Sequence, residues 1–569
     1  MSLADLDRAE LEAERYELFE GPDRPVLLDR REFLKRVGGG LVVLCLMTRE
    51  APARQESGRR GRSRGGSTPR EISAWIQIDG GGRVSACTGK VEVGQNIRTS
   101  LSQAVADELG MAPESITLVM GDTEKTPFDM GTFGSRTTPS MAPQLRRAAA
   151  AAREVLSKMA AQRWQVDPDQ VEIRDGQAVE RGKESTVGLG ELTRGEPILE
   201  VITDETAVTP APEWNVAGKS VAKLNGRDFV TGKHRYASDQ SRPGLLHGKV
   251  LRPPALGAEL TGLDASKAEA MDGVVVVRDG AFVGVAAPDE ATALKALSAL
   301  KAEWSKGTET GSDADLFDRL KESVGQDPRG RGAGDRGAVE QALDAADVKV
   351  SSRYTVAYIA HASLEPRAAL AEWEGDRLTV WTGTQRPFGV RGELAQAFDV
   401  PESNVRVIVP DTGAGYGGKH TGEAAVEAAR LAKAARRPVK LVWSRPEEFT
   451  WAYFRPAGVI EAAAGASKDG TLTAWSFENI NSGGSGIEPP YRVQNRHVAF
   501  RPARSPLRQG SYRALASSAN HFARESLMDE LAKELQMDPL EFRLRNLEDQ
   551  RVRAVLEAAA KQFGWGKNP

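Results

Sequence analysis

The chain has little cysteine. Only Cys45 and Cys87 occur in 569 residues. A disulfide framework needs several pairs, and a cysteine-ligated iron–sulfur cluster needs about four thiolates, so neither is expected within this chain. The six histidines are scattered, and neither an HExxH nor a CxxC motif occurs, so no metal site built from protein ligands is predicted. If the protein is a redox enzyme, it must then hold its cofactor by hydrogen bonds or pass its electrons elsewhere.

Long apolar runs and a strong net charge are also lacking. The apolar run at 37–47 is 11 residues long, well short of the roughly 20 needed for a membrane-spanning helix. A net charge of −3 gives no general reason to expect a nucleic acid or an anionic membrane as a partner. The composition, with 40% apolar and 27% charged residues, is that of a globular protein. The length suggests about three or four folded units.

The N-terminus has the residue order of an export signal. The pair Arg30-Arg31 precedes the apolar run 37–47, and small residues at 51–53 offer a cleavage site. This order resembles a twin-arginine export signal; the alternative is an amphipathic helix with a chance arginine pair. We therefore expect a twin-arginine signal region over 1–53 and a periplasmic protein, peripheral to the membrane at most. Because this route carries folded proteins, any cofactor would be inserted before export.

The remaining chain mixes strand and helix patterns without strict alternation, which favours an α+β fold. Arg, Gly and Ser dominate 54–70, which predicts a disordered linker. Strands are predicted in three groups, at 73–90 and 116–120, then at 230–239, 245–254 and 272–287, and last at 378–384, 404–411 and 439–444. Helices are predicted at 99–109, 143–162, 291–304 and 422–436.

A glycine-rich loop, Gly-Ala-Gly-Tyr-Gly-Gly-Lys-His at 413–420, lies between a predicted strand and a predicted helix. It nearly satisfies the phosphate-binding loop of nucleotide triphosphatases. His420 stands where that loop has Ser or Thr, and imidazole is a poor Mg²⁺ ligand. The glycines would still let backbone N–H groups surround an electron-rich group. A purely structural turn is the alternative.

Four segments together resemble the loops that enclose the molybdopterin cofactor in xanthine oxidase-like enzymes. They are GKVEVGQN at 89–96, WTGTQ at 381–385, GAGYGGK at 413–419 and GSYRA at 510–514. The run at 522–547 resembles the helix and DPLEFR signature that follows the last loop. Because the first loop precedes a strand-rich unit, the order is similar to that in the beta chains of isoquinoline 1-oxidoreductases and the B subunits of nicotinate dehydrogenases. The resemblance covers residue 72 to the end.

This resemblance implies a multi-domain molybdenum-cofactor-binding fold of the α+β class with an α/β hammerhead domain. The implied division, after the signal region 1–53 and the linker 54–70, is a molybdopterin-binding segment at 71–210, the hammerhead domain at 211–305, a linker at 306–345 and a second molybdopterin-binding domain at 346–569, lacking its C-terminal part.

Residue by residue, the resemblance implies that Gln385 lies near the metal's apical oxygen and that Gln95 meets the pterin or its nucleotide. Arg513 would face the substrate, so Gln385 and Arg513 are the predicted catalytic residues. His361 and Glu365 are interpreted as structural or pocket-lining. The predicted cofactor-binding residues are Gly94, Gln95, Asn96, Gly134, Ser135, Arg136, Thr137, Gln385, Gly415, Tyr416, Gly417, Gly418 and Arg513.

The implied activity is hydroxylation of an aldehyde or N-heteroaromatic substrate with oxygen derived from water. The implied cofactor is molybdopterin cytosine dinucleotide with molybdenum, and the implied partners are a cytochrome c and a small [2Fe–2S] subunit. The family's general base is a Glu in a C-terminal Gly-rich loop. No such segment follows the predicted helix at 551–562, so we expect this Glu outside the chain and little turnover by the chain alone. A non-catalytic scaffold is the alternative.

Overall fold

A computed structural model describes residues 40–41, 75–193, 202, 206–308, 311–324 and 332–566. Helices and sheets are mixed without regular alternation, which confirms the predicted α+β class. The arginine pair Arg30-Arg31 and the predicted linker 54–70 lie outside the described residues. The domain boundaries stay predictions. Within the described residues, no helix combines the length and the apolar character needed to cross a membrane.

The first unit is a four-stranded sheet covered by two helices. Ile76–Asp79 and Val84–Thr88 form the predicted hairpin, and helix Ile97–Glu108 then leads to a strand that runs parallel to the second hairpin strand. In sequence order the elements are β1 (Gly40–Leu41), β2 (Ile76–Asp79), β3 (Val84–Thr88), α1 (Ile97–Glu108), β4 (Ile116–Met120) and α2 (Ala142–Trp164). The alanine-rich face of α2 packs on α1 because small side chains allow the two helices to approach closely.

A small antiparallel sheet follows α2. It consists of β5 (Val171–Arg174), β6 (Gln177–Glu180) and β7 (Thr186–Gly188), and the short helix α3 (Leu189–Leu192) returns to the first unit. Residues 206–225 then run along α1 to the short helix α4 (Gly226–Val230).

The largest sheet has seven strands and contains residues from both the predicted hammerhead segment and the predicted C-terminal domain. Its spatial order is β10-β11-β8-β18-β15-β16-β17. These strands are β8 (Leu246–Val250), β10 (Val275–Asp279), β11 (Phe282–Ala287), β15 (Ala368–Glu374), β16 (Arg377–Thr382), β17 (Val405–Ile408) and β18 (Val439–Val442). Helix α10 (Glu423–Ala435) buries its Ala and Leu side chains on this sheet.

Five further elements between β8 and β18 in sequence lie around this sheet. A two-stranded sheet lies beside it. These elements are β9 (Leu260–Asp264), α5 (Ser266–Glu269), α6 (Glu290–Ala299), β12 (Lys301–Trp304) and α9 (Pro387–Phe398). The predicted helix 291–304 is wrong beyond Ala299: the chain becomes extended at Leu300, and β12 pairs with β9 while its side chains alternate in burial.

A five-stranded sheet covered by helices forms the C-terminal part. Its order is β13-β21-β20-β19-β14. The elements are α7 (Leu316–Glu322), β13 (Gly332–Arg336), α8 (Val339–Asp344), β14 (Val348–Val356), α11 (Arg445–Trp451), β19 (Gly458–Ala466), β20 (Leu472–Ile480), β21 (Asn495–Arg501), α12 (Ser517–Glu534), α13 (Pro539–Asn546) and α14 (Gln550–Phe563).

Two predictions from the sequence differ from this arrangement. The stretch 306–345, predicted as a linker, contains α7, β13 and α8, and all three contact the five-stranded sheet. The predicted strand at 230–239 is wrong. There the backbone N–H groups of Lys233 and His234 both donate to the Asp228 carbonyl, so the segment turns on itself and has no strand neighbour.

Candidate functional site

Four loops at the candidate site follow the carboxyl ends of parallel strands. Residues 89–96 follow β3, 121–136 follow β4, 383–386 follow β16, and 409–422 follow β17. The two pairs of strands meet end to end, because the Val409 N–H donates to the Gly121 carbonyl at 3.1 Å. Ligands of α/β sheets bind in crevices outside the carboxyl ends of strands. The topology therefore gathers these segments, distant in sequence, at one place.

Gln385 joins two of these loops through its side chain. Its Nε2 donates to the Thr132 carbonyl at 2.9 Å, and its Oε1 accepts from the Gly417 N–H at 2.9 Å. The Gln385 backbone N–H also donates to the Lys419 carbonyl at 2.7 Å. The side chain is buried, and its second amide N–H has no acceptor among the described residues. One fixed donor therefore remains at the junction of the loops.

The loop 413–420 has left-handed backbone conformations and little space beside its glycines. Tyr416 and Gly417 adopt φ values of +57° and +91°. A Cβ on Gly415 would lie 2.6 Å from Gln385 Oε1, and one on Gly417 would lie 2.8 Å from the Ser511 carbonyl oxygen. The glycines are thus required for close packing between three loops, as the structural-turn alternative implies, and the surrounding of a ligand by their N–H groups stays a prediction.

Gly418 is packed against a further loop. A Cβ there would lie 2.5 Å from the His361 ring. The His361 Nε2 is 2.6 Å from the Ser511 carbonyl oxygen, so 510–514 is tied to the glycine loop through this histidine. Three of the four predicted cofactor loops, 381–385, 413–419 and 510–514, are thereby in direct contact.

The fourth loop, 89–96, joins the site through its backbone. The Thr412 N–H donates to the Glu92 carbonyl at 2.8 Å, and the Val91 N–H donates to Thr132 Oγ1 at 2.9 Å. Gln95 is exposed, and its amide bonds within its own loop, to the Val93 N–H and the Val91 carbonyl. Gln95 therefore holds its own loop in shape and does not contact Gln385.

The predicted polar turn lies at the start of α2. Gly134 and Ser135 have φ values of +63° and +55°, and Arg136 then returns to the right-handed helical region. Adjacent residues of opposite handedness point successive N–H groups to one side, and such a nest binds anions. Gly134, Ser135 and Arg136 are exposed, whereas Thr137 is buried. The turn is available to a phosphate.

The lysine of the glycine loop does not point towards a ligand. Lys419 is buried, and its Nζ lies 3.4 Å from Glu365 Oε2. Burial lowers the pKa of Lys419, and Glu365 acts in the opposite direction. Glu365 also accepts from the N–H groups of Gly413 at 2.6 Å and Ala237 at 3.1 Å. A nucleotide triphosphatase needs this lysine on the phosphates, so the geometry contradicts that alternative.

A cluster of buried charged side chains contacts the glycine loop 413–420. Glu423 accepts from Arg508 at 3.1 Å, lies 3.4 Å from Arg367 and accepts from the Thr421 hydroxyl at 2.7 Å. Arg367 also donates to the Gly418 carbonyl and to Glu448 at 2.6 Å. Although burial opposes it, the pKa of Glu423 falls to about 2 because of its arginine neighbours. We call these residues the Glu423 cluster.

Two histidines adjoin the glycine loop as neutral rings, His420 buried and His361 partly buried. Burial lowers the pKa of His361 to about 4 and that of His420 to about 3. The His420 ring lies 5.4 Å from the Phe133 ring, between centroids. His361 and Glu365 are therefore structural elements of the site, in agreement with the sequence interpretation.

Arg513 stands at the rim of the last loop. Its side chain is exposed, and the two residues that follow it, Ala514 and Leu515, have φ values of +70° and +51°. The structure thus gathers Gln385 and Gly415 to Gly418 at the centre, with Gln95, the turn at Gly134 and Arg513 at the edges. Sequence reasoning missed Thr132, Arg367, Tyr453 and Glu423, whose roles are long-range contacts without a local motif.

The residues present suit a pterin-type cofactor. Among the described residues, no group of three His, Cys, Asp or Glu side chains could hold a metal ion. The chain offers a spare Gln385 amide donor and an exposed N–H nest. These groups match a flat, polar heterocycle and an anionic tail.

Comparison with known families agrees with this geometry. Two molybdopterin cofactor-binding domain families match the chain, one over residues 326–547 and the other over residues 30–225. The B subunit of nicotinate dehydrogenase from Pseudomonas putida is 31% identical over 532 residues, which are 87% of this chain and 44% of that protein. The beta chain of isoquinoline 1-oxidoreductase from Brevundimonas diminuta is 25% identical, over 95% of this chain and 78% of that protein.

Solved structures agree at the level of the fold. Quinoline 2-oxidoreductase from Pseudomonas putida 86 has a TM-score of 0.54 and 21% identity, covering 61% of this chain and 54% of that one. The chain spans about half the length of this structure and less than half of the nicotinate dehydrogenase relative. The family matches, the relatives and the converging loops lead to one conclusion: the chain belongs to the molybdopterin-binding large subunits of the xanthine oxidase family.

Proposed function

We propose that this chain is the cofactor-binding part of an oxidoreductase that hydroxylates an aldehyde or an N-heteroaromatic substrate. The overall reaction adds oxygen from water: the substrate C–H and one water give C–OH, two protons and two electrons. The relatives' names include nicotinate, isoquinoline and aldehyde oxidoreductases. The proposal rests on the Gln385 side chain, which hydrogen-bonds to Thr132 and Gly417 on two different loops and has one amide N–H left to donate.

When bound, a molybdenum-carrying pterin, which we propose is the cytosine dinucleotide form, supplies the oxygen transfer and the two-electron redox chemistry. The protein residues bind and orient. The spare amide N–H of Gln385 would donate a hydrogen bond to the cofactor, and Gly415, Gly417 and Gly418 let the surrounding loops pack closely enough to place this donor. The nest at Ser135 and Arg136 receives the phosphates. Arg513 faces the substrate and orients it by its positive charge.

The two electrons leave through another polypeptide. Cys87 is the only cysteine within the described residues, and it is buried, so this part of the chain does not ligate an iron–sulfur cluster. We propose that the first acceptor is a small separate [2Fe–2S] subunit, and that a cytochrome c is the next. Co-purification of a [2Fe–2S] protein with the tagged chain from its native host tests this partner; a native complex that contains no iron contradicts it.

Oxygen labelling tests the reaction. The native complex, incubated with an N-heteroaromatic substrate in H₂¹⁸O, should give a hydroxylated product that contains ¹⁸O, and the protein should contain molybdenum and a pterin. Incorporation of ¹⁸O from labelled O₂ instead would contradict the proposed reaction. A folded chain without molybdenum or pterin, isolated from a host that makes the cofactor, would favour the non-catalytic scaffold.

Export is the last part of the proposal. We infer that the Arg30-Arg31 pair directs the folded protein to the periplasm. Cell fractionation tests this with the double substitution Arg30→Lys and Arg31→Lys, which should keep the protein in the cytoplasm. The same change at Arg59 and Arg60, a second adjacent pair, is the matched control and should leave export intact. Export that survives the first substitution contradicts the inference.

A further inference from the structure

Three extended segments lie side by side at the edge of the glycine loop. The Arg455 N–H donates to the Ile359 carbonyl at 2.9 Å, and the Gly510 N–H donates to the Phe454 carbonyl at 2.9 Å. Arg455 therefore lies between the segment that carries His361 and the segment that carries Arg513. None of the sequence motifs described above includes Arg455.

The Arg455 guanidinium is half-buried, and no acidic side chain among the described residues pairs with it. Its Nη2 donates to the Ala357 carbonyl at 3.0 Å, and its Nε is enclosed with no acceptor among the described residues. Burial lowers the pKa of Arg455, and the only opposing influence is the Tyr512 hydroxyl. A guanidinium that is partly removed from water without an anion is costly, and an external anion would offset that cost.

Comparable arginines elsewhere have such an anion. Arg391 and Arg496 also have an enclosed Nε without an acceptor. Each nevertheless forms an ion pair, Arg391 with Glu402 at 2.9 Å and Arg496 with Glu488 at 3.2 Å. Structural arginines of this kind are thus neutralised within the chain. Arg455 differs, and this difference indicates a ligand rather than a fold requirement.

The surroundings of Arg455 suit a flat ring. Its Cζ lies 5.8 Å from the centroid of the Tyr512 ring, which in turn lies 5.1 Å from the His361 ring. Ile359, on the adjacent segment, is 38% exposed although it is a large apolar residue. Arg513 follows Tyr512 directly and is exposed. The Arg455 guanidinium therefore lies beside an aromatic ring on the loop that also carries the exposed Arg513, and near a partly exposed apolar side chain.

We propose that Arg455 binds the carboxylate of an aromatic carboxylate substrate, with the Tyr512 ring beside the aromatic ring and Arg513 as a second cation. This inference rests on the proposed hydroxylase function and specifies its substrate class. Guanidinium groups pair with carboxylates through two parallel hydrogen bonds, which fix the orientation of a bound ring as well as its affinity. A neutral amide of the same shape lacks the charge that this site compensates.

Binding of benzoate and benzamide to the native complex, by calorimetry, tests the proposal without turnover. The wild type should bind benzoate about tenfold more tightly than benzamide, a difference typical of one charge-assisted contact. Arg455→Met should abolish this preference, and Arg455→Lys should reduce it while keeping the charge. Arg504→Met is the matched control, because Arg504 is an exposed arginine on the segment before Gly510, and it should keep the preference.

Equal binding of benzoate and benzamide by the wild type overturns the proposal. A preference for benzoate that survives in Arg455→Met also overturns it. So does an equal loss of the preference in Arg455→Met and Arg504→Met, because the preference would then come from general positive charge and not from a specific contact with Arg455. If Arg455→Met fails to fold, as judged by circular dichroism, Arg455→Lys decides alone. Molybdenum content is measured on the same samples. If the wild-type complex prefers benzoate but contains no molybdenum, only the hydroxylase function is refuted. If it contains molybdenum but does not prefer benzoate, only the carboxylate site is refuted.

Discussion

Two loops predicted to hold the same cofactor are built in different ways. The loop 89–96 is organised by its own side chains: Gln95 bonds to Val91 and Val93, and Glu92 accepts from the N–H groups of Gly94, Asn96 and Arg98. The loop 413–420 is held by side chains from elsewhere, namely Gln385, Glu365, Arg367 and Tyr453. Apart from the contacts of Lys90 with Asp129 and of Val91 with Thr132, the first loop is shaped within its own segment, whereas the second depends on side chains from the whole fold. Substitutions should therefore be far more damaging around the second loop.

The largest effect is expected at the centre of the Glu423 cluster. Glu423→Ala leaves the buried Arg367 and the partly buried Arg508 without their shared carboxylate, so the free energy of unfolding should fall by about 3–5 kcal/mol. Chemical denaturation measures it. The control Glu541→Ala breaks an exposed helical pair with Arg545 and should cost about 0.5 kcal/mol. Equal losses in the two variants would refute the role of the cluster.

Two glycines with nearly equal φ angles compare the loops directly. Gly94 has φ +96° and nothing within 4 Å of an added Cβ, whereas Gly417 has φ +91° and the Ser511 carbonyl at 2.8 Å. Gly94→Ala should cost about 1–2 kcal/mol from the left-handed backbone alone. Gly417→Ala should cost about 1–3 kcal/mol more because of the overlap. Equal losses of unfolding free energy in the two variants would show that the second loop shifts at little cost to make room for the added methyl group.

The pH dependence of stability follows from the histidines behind the second loop. The folded-state pKa of His420 is about 3, below its unfolded value near 6.5, so the unfolded chain binds the extra proton as the pH falls. Stability is therefore lost below about pH 6.5, by up to about 1.4 kcal/mol per pH unit for each such histidine. His420→Leu should flatten the slope of unfolding free energy between pH 6.5 and 5.

Glu393 gives the opposite sign and serves as the control for that slope. Burial raises its pKa to about 7, so the folded state holds a proton that the unfolded state releases, and stability is gained as the pH falls towards the unfolded value near 4.5. Glu393→Gln should therefore steepen the loss between pH 6.5 and 5. A slope that changes in the same direction for both variants would contradict the assignment.

The smallest effect is expected in the first loop. Gln95→Ala removes two hydrogen bonds to exposed or partly buried backbone groups, which water can replace. The unfolding free energy should fall by about 1 kcal/mol or less. Cofactor content, measured in parallel, tests the separate prediction that Gln95 touches the pterin; unchanged content would limit Gln95 to shaping its loop.

Structure that depends on local contacts could be predicted from the sequence, whereas structure that depends on long-range contacts could not. The hairpin at β2 and β3 and helix α10 were predicted because their patterns are local. β12 was missed because its strand partner, β9, is more than thirty residues away. The glycine loop was found by its motif. The Glu423 cluster was not, because its ion pairs join residues far apart in sequence, such as Arg367 and Glu423.

The central claim is that Gln385 holds together the loops that bind the cofactor. The number of molybdenum atoms per protein chain tests this claim most directly. Gln385→Ala and Gln103→Ala each remove a side-chain amide; that of Gln103 donates to the Val216 and Lys219 carbonyls, on the segment along α1. Both proteins should remain folded, but only Gln385→Ala should lose most of its molybdenum and pterin. Equal molybdenum in the two purified variants would contradict the claim.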